Sequence, residues 1–463
     1  MGDSERRGRR RLRSLMVDTT AFRKSRDYRL LLIGGVFSRI GSQMTTVALP
    51  LQMYRFSGSP WQVGLLGLAE FVPFAVLSLF GGAISDRYDR RHVLIASQAV
   101  MAAVIATLAV ATGTGVASPG LLYVLAAGTG AASAFDGPVR QALLVQAVPK
   151  EYMRSAVSLS YGIVQATLVL GPALGGFSVA WFGFAPVYAV DALTFAVLIV
   201  SVAMVRHRAP AQPVSGRPSV LGSLAESIRF VRRERAVLGS FGIDLIAMTF
   251  GMPRALFPVL ALHVYHVGPE GTGLMLSAVS FGALAAALTT GWLGRARRLG
   301  RVVVGAVLIW GAAIAVAGAM PNFPAALVCL AAAGAADSVS AVCRSTIVQT
   351  ITSDEMRGRM SAMFVLVVGS GPYLGDAEAG GIGSLFSPRV SVVSGGLVSM
   401  AGALLIAVTC PQLYRFDSED YAQRDEAAKA DGDDPPGASG ERRAHSARKG
   451  KSSLAEPVEV ADQ

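Results

Sequence analysis

Charge is scarce in this chain. Only 16% of its 463 residues are Asp, Glu, Lys or Arg, against about a quarter in an ordinary soluble domain, so a solvated surface of normal extent is excluded. The three cysteines, Cys329, Cys343 and Cys410, sit in or at the ends of apolar runs without the paired spacing of a disulfide framework or thiolate metal site. Five histidines, His92, His207, His263, His266 and His445, are too few and too scattered for the clusters that membrane oxidases and desaturases use. Of these, His263 and His266 fall at the end of an apolar run and read as interfacial. No metal, no cofactor and no enzyme activity are expected. A Gly-x-x-x-x-Gly-Lys-Ser/Thr phosphate loop is also missing, which argues against ATP hydrolysis as the power source.

What the chain has in abundance is apolar sequence. Hydrophobic residues make up 52%, and between Leu30 and Cys410 they form twelve segments. Each approaches the roughly 20 residues that a helix needs to cross a hydrocarbon core of about 30 Å. The net charge of +11 lies in the amino-terminal tail and in alternate loops, not on one face, so nucleic acid is not an expected partner. One set of loops holds Arg87, Arg90, Arg91, Lys150, Arg154, Arg206, Arg295 and Arg357; the other shows Arg55 and Arg389. The positive-inside rule puts both termini in the cytoplasm of a bacterial inner membrane. The Arg-rich start, Arg6 to Arg13, precedes too long an apolar run for an export signal and reads as a tail that rests on anionic lipid.

Two copies of one pattern fill the chain. Val145, Gln146, Met153 and Arg154 recur as Val348, Gln349, Met356 and Arg357. Gly171-Pro172-Ala173-Leu174-Gly175-Gly176 returns as Gly371-Pro372-Tyr373-Leu374-Gly375-Asp376, and Gly64-Leu65 as Gly273-Leu274. The expected organisation is a basic tail (1–29), a six-helix bundle (30–205), a cytoplasmic linker with an amphipathic helix (206–236), a second six-helix bundle (237–411) and a disordered tail (412–463). Parallel repeats of this kind hold a substrate site at their interface and expose it to each side in turn by rocking.

Charges inside apolar segments are the sharpest pointers to that site, because each costs roughly 2.5–3.5 kcal/mol at a helix centre. The candidates for substrate binding or proton coupling are Arg39, Glu70, Asp136, Asp244, Arg254, Asp337, Asp376 and Glu378. Segments one, four, seven and ten all carry charge, which suggests a water-filled cavity lined by those four. A gating role is expected for Gly82, Asp86, Arg87, Arg90 and Arg91 at the inner end of segment two, and for Arg140 and Arg344. The repeated Gly171, Pro172, Gly175, Gly176 and Gly371, Pro372, Gly375 motifs bend their helices and leave small-residue faces for close packing.

The Gly82-x-x-x-Asp86-Arg87 loop followed by Arg90-Arg91 resembles that of the major facilitator superfamily. Trp61-Gln62-Val63-Gly64-Leu65, Arg254 before Leu256-Phe257-Pro258, and Gly375-Asp376 make the chain similar to the enterobactin exporter family in particular. The resemblance covers all but the tails. It implies an all-α membrane protein of twelve transmembrane helices that exports a siderophore or another amphipathic small molecule, driven by proton antiport. General multidrug or macrolide efflux is the alternative, with lipid transport behind it. The implied partners are the small-molecule substrate, protons and membrane lipid, and the chain is expected to act as a monomer.

Overall fold

The computed structural model describes residues 19–205, 220–353 and 356–417, apart from 290, 292, 294 and 295. The Arg-rich start up to residue 18, the Pro-rich start of the linker and the chain beyond 417 lie outside the described residues. Among the described residues all regular structure is helical.

The first half comprises α1 (Arg26–Ser57), α2 (Pro60–Arg87), α3 (Arg90–Gly113), α4 (Pro119–Gln146), α5 (Met153–Phe182) and α6 (Phe184–Ala203). A linker helix, Val220–Arg233, leads to α7 (Arg235–Gly251), α8 (Pro269–Thr289), α9 (Leu299–Ala319), α10 (Phe323–Ile351), α11 (Arg357–Leu385) and α12 (Pro388–Thr409). Helix starts follow local chemistry. Ser118, Asn322 and Ser387 each accept a hydrogen bond from a first-turn N–H, and a proline sits within the next two residues in all three. At the first helix, Ser25 caps the Tyr28 N–H, so α1 begins at Arg26 and not near Leu30; hydropathy overlooks a first turn that holds Asp27 and Arg29.

Among the described residues, nine helical segments are long and apolar enough to cross a membrane on their own account. α1, α4 and α11 are not among them, since each mixes Gly, Ser or Thr with charge: Arg39 in α1, Asp136 with Arg140 in α4, and Asp376 with Glu378 in α11. Those three have neighbours to shelter such groups. Within the first half α1 packs on α5 and α6, α2 on α4, and α3 on α4 and α6; the second half repeats this as α7 on α11 and α12, α8 on α10, and α9 on α10 and α12. Between halves, α2 runs along α11 and α5 along α8, again one pattern used twice. This is the two-bundle architecture of a major facilitator fold.

Both seams are cut close by glycine. A β-carbon at Gly64 would lie 3.1 Å from the Ala377 Cα, and one at Gly380 would lie 3.1 Å from the Gly64 Cα. On the other seam, a β-carbon at Gly273 would come within 3.1 Å of the Gly176 Cα. All of these positions lie toward the end remote from the Arg-rich loops. Gly369 and Gly162 occupy the same helix faces nearer the basic end, by their spacing from Tyr373 and from Gly176, and a β-carbon there would meet nothing within 4 Å. The halves therefore touch at the remote end and part toward the basic end.

The linker helix docks on the second half. Val231 joins a buried cluster with Val237, Phe241, Val348 and Met360, and Glu226 pairs with Arg359.

Candidate functional site

α7 is the irregular helix of the set, and the irregularity builds the site. Pro253 offers no N–H and crowds the preceding turn, so the helix ends at Gly251, resumes as a 3-10 turn at Arg254–Leu256, and passes through a π-helical turn at Leu260–Val264. An amide freed by that lapse is put to use: the Ala255 N–H donates to Asp376 Oδ1 at 3.1 Å. Arg254 Nη2 donates to the other oxygen, Oδ2, at 2.7 Å.

Two further side chains complete the cluster, and one arrives from the opposite half. The Tyr373 hydroxyl donates to Glu70 Oε1 at 3.4 Å, while the Tyr373 ring lies 5.5 Å from the Arg254 guanidinium and stacks on Phe71 at 5.4 Å. Glu70 and Phe71 belong to α2, so this group spans the α2–α11 seam. It borders a cavity of about 330 Å³ to which Ser42, Thr45, Thr46, Thr129 and Thr272 contribute hydroxyls. By volume that is room for about 11 waters at roughly 30 Å³ each. The arrangement is a polar chamber with an ion pair at one wall and a second carboxylate close enough to compete for the same guanidinium.

The cavity wall comes from α1, α2, α3, α4, α6, α7, α8 and α11. The expectation that segment ten joins one, four and seven as lining is not what the structure shows, and the reason is a closed pairing inside the second half. Arg344 of α10 puts Nη2 2.6 Å from Asp244 Oδ1 of α7 and 3.6 Å from Asp337 Oδ1, and its Nη1 donates to Ser340 Oγ at 2.9 Å. Arg344 and Asp244 are each 2% exposed. Although the Asp244 contact is close, it is out of line for a hydrogen bond, so the attraction there is of charge alone. The first half uses the corresponding helices, α4 again supplying an Arg and an Asp while α1 brings a cation where α7 brings an acid: Arg140 of α4 pairs with Asp136 at 2.9 Å, Gln98 Nε2 donates to Asp136 at 2.7 Å, and Arg39 of α1 lies within electrostatic reach of both.

The remaining sequence-named residues are dispersed. Glu378 follows Asp376 by two positions and so turns away from it; its Oε2 is buried without a hydrogen-bond partner. α2 continues through Gly82, Asp86 and Arg87, whose side chains lie outside the described residues. Arg90 and Arg91 open α3, where Asp89 caps the Arg91 N–H and the Arg91 guanidinium donates to the Ala203 carbonyl. Pro172 and Pro372 sit inside continuous helices. Their glycines serve close approach: β-carbons at Gly171 and Gly175 would press on Gln43 and Met44 of α1, and those at Gly371 and Gly375 on Met248 and Thr249 of α7. Tyr373 was not foreseen. Its signal was visible, since Tyr373 and Asp376 are two places where the Gly-Pro motif of α11 departs from its copy in α5, and both face the chamber.

Two matched bundles, seams of glycine, and a charged chamber between them define a multi-pass membrane transporter of the major facilitator class. Over residues 19–432 the chain matches the family described as transmembrane secretion effector, and it belongs to that family. The enterobactin exporter EntS of Citrobacter koseri is 27% identical over 410 residues, covering 87% of this chain and 96% of the relative. The enterobactin exporter EntS of Salmonella typhimurium is 26% identical, with 87% and 97% covered. Among solved structures, a bacterial homologue of the lysosomal transporter Spinster, inward-facing and unoccupied, superposes with a TM-score of 0.63 at 15% identity, covering 86% of this chain and 97% of that one. These matches make the protein an exporter of the major facilitator superfamily and not an enzyme.

Proposed function

We propose that the protein exports a siderophore or a similar amphipathic small molecule by proton antiport, alternating between a state open at the basic end and one open at the remote end. The basic end is then cytoplasmic, with both termini there, in the inner membrane of a bacterium. Arginine-bearing loops on one side support that orientation.

The observation that carries the coupling is the Arg254–Asp376 pair with Glu70 beside it. A proton on Asp376 removes its hold on Arg254, and the guanidinium then has Glu70, across the seam, as its nearest remaining carboxylate. Proton binding thereby changes which half Arg254 is tied to, and such a change is what a two-state element needs in order to respond. One proton moving through 100 mV releases about 2.3 kcal/mol, enough for roughly a fifty-fold solute gradient. Arg254 and the face of Tyr373 suit an anionic or catechol-bearing ring, and the names of the relatives point the same way.

The test is secretion from a strain lacking the gene. Catecholate siderophore in the medium should fall on deletion and return with the wild-type gene, and accumulation in inverted vesicles should collapse when a protonophore is added. If cationic-dye efflux depends on the gene while siderophore secretion does not, the substrate assignment fails. Transport that survives the protonophore removes the proton.

A further inference from the structure

Among the described residues, four guanidiniums lie in the middle of the spanning segments, and each is engaged with a carboxylate or near one: Arg39 and Arg140 with Asp136, Arg254 with Asp376, Arg344 with Asp244 and Asp337. Asp191, on α6, has none of them. It is 1% exposed, yet it lies on the wall of the same 330 Å³ cavity. Its partners are neutral: the Thr45 hydroxyl donates to Oδ2 at 2.5 Å and the Thr194 hydroxyl reaches Oδ1 at 3.3 Å. α1 makes room for it at Gly41, where a β-carbon would sit 2.5 Å from Asp191 Oδ1.

No charged group offsets this carboxylate among the described residues. α1 contributes Arg39, committed to the Asp136–Arg140 pair, and Tyr54, whose ring meets His263. α3 has no titratable residue from Val93 to Gly113, and within the body of α5 there is only Tyr161, which is exposed. α6 itself carries Tyr188, whose hydroxyl donates to Gln52 Oε1 at 2.8 Å. Across the chamber, Arg254, Asp376, Tyr373 and Glu70 are bound to one another. An ionised carboxylate held by hydroxyls alone carries an uncompensated charge in a region where one is costly. A proton removes that charge without any rearrangement.

We propose that Asp191 is a second proton-binding site, set in the first half, loaded from the shared chamber and separate from the Arg254–Asp376 pair. The site deepens the antiport reading and rests on it for its role in transport, since each half would then present one exchangeable carboxyl to the same water. Thr45 and the Gly41 niche hold the carboxyl at the chamber wall, where a proton arriving from either opening reaches it.

The experiment is a pH titration of the full-length protein in lipid nanodiscs, followed by infrared difference spectroscopy of the protonated-carboxyl C=O stretch. Wild type should show, besides any band of Asp376, a separate titrating component that is lost in Asp191→Asn and kept in Asp376→Asn. Thr45→Val removes one hydroxyl and should displace the band in frequency while preserving the fold, which keeps the proposal testable should Asp191→Asn fail to fold. A difference spectrum in which Asp191→Asn loses no component present in wild type and in Asp376→Asn overturns the proposal. So does a band indifferent to Thr45→Val, or one removed by sodium at constant pH, which would make the ligand an alkali cation. Export that proves insensitive to pH, with the Asp191 band present, strikes the antiport reading and leaves the site standing.

Discussion

Adding one methyl group to each seam should open the remote end. In the state described, a β-carbon at Gly64 lies 3.1 Å from both the Asp376 carbonyl carbon and the Ala377 Cα, and one at Gly273 lies 3.1 Å from the Gly176 Cα. These opposing atoms are backbone in the middle of helices, so they cannot rotate aside as a side chain would. Overpacking of this kind costs about 1–3 kcal/mol, which is roughly a 5- to 150-fold shift between two states. Because the seams involve different helix pairs, Gly64→Ala and Gly273→Ala should add, for about 2–6 kcal/mol together. The assay is a spin-label distance between Ser59→Cys and Ser384→Cys, across the remote ends of α2 and α11, after replacement of the three native cysteines. Each alanine should enlarge the long-distance population, and the double variant should make it dominant. Gly162→Ala, placed in open space, should leave the remote end closed. A distance distribution unchanged in a monodisperse double variant would refute the claim that these crossings form the seal.

Three further perturbations address the charges. Arg344→Met leaves the buried Asp244 and the half-buried Asp337 without a cation and should destabilise the protein by about 3–5 kcal/mol, read as a lowered melting temperature in detergent; the triple change Arg344→Met with Asp244→Asn and Asp337→Asn should cost less than the single one. Asp376→Asn takes the charge partner from Arg254 and should abolish pH-dependent export while the protein still reaches the membrane, whereas full pH dependence in that variant removes Asp376 from the coupling step. Arg39→Ala should lose export at normal membrane abundance, and unchanged export places Arg39 outside the substrate route.

The helices were legible because lipid imposes a length and a polarity that hydropathy reads directly, and the repeat was legible in Gly64 and Gly273, which turn out to mark the two crossing points. The interruption of α7 was not, although Pro253 and Pro258 announced it, because hydropathy runs unbroken from Val237 to His263. Charge pairing was hidden for a different reason. Glu70 and Tyr373 are 303 positions apart, and only the juxtaposition of α2 with α11 brings them together. Arg344 read as a gating residue, and segment ten as cavity lining; whether α10 turns its Arg to the chamber or to α7 is decided by a rotation that composition does not encode. Asp191 is not among the candidates read from the sequence, because its isolation from the guanidiniums of the described residues appears only with the partners of the other acids in place.

The lapse in α7 has no counterpart in α1, which runs as one helix over 32 residues. A tandem of two first halves would keep the interlocking backbone surfaces yet offer a carboxylate no spare main-chain amide; a tandem of two second halves would offer two. Duplication by itself yields a device with no preferred direction. Whatever distinguishes loading from discharge must come from places where the copies have diverged, and a few residues of unwound chain are among the clearest of them.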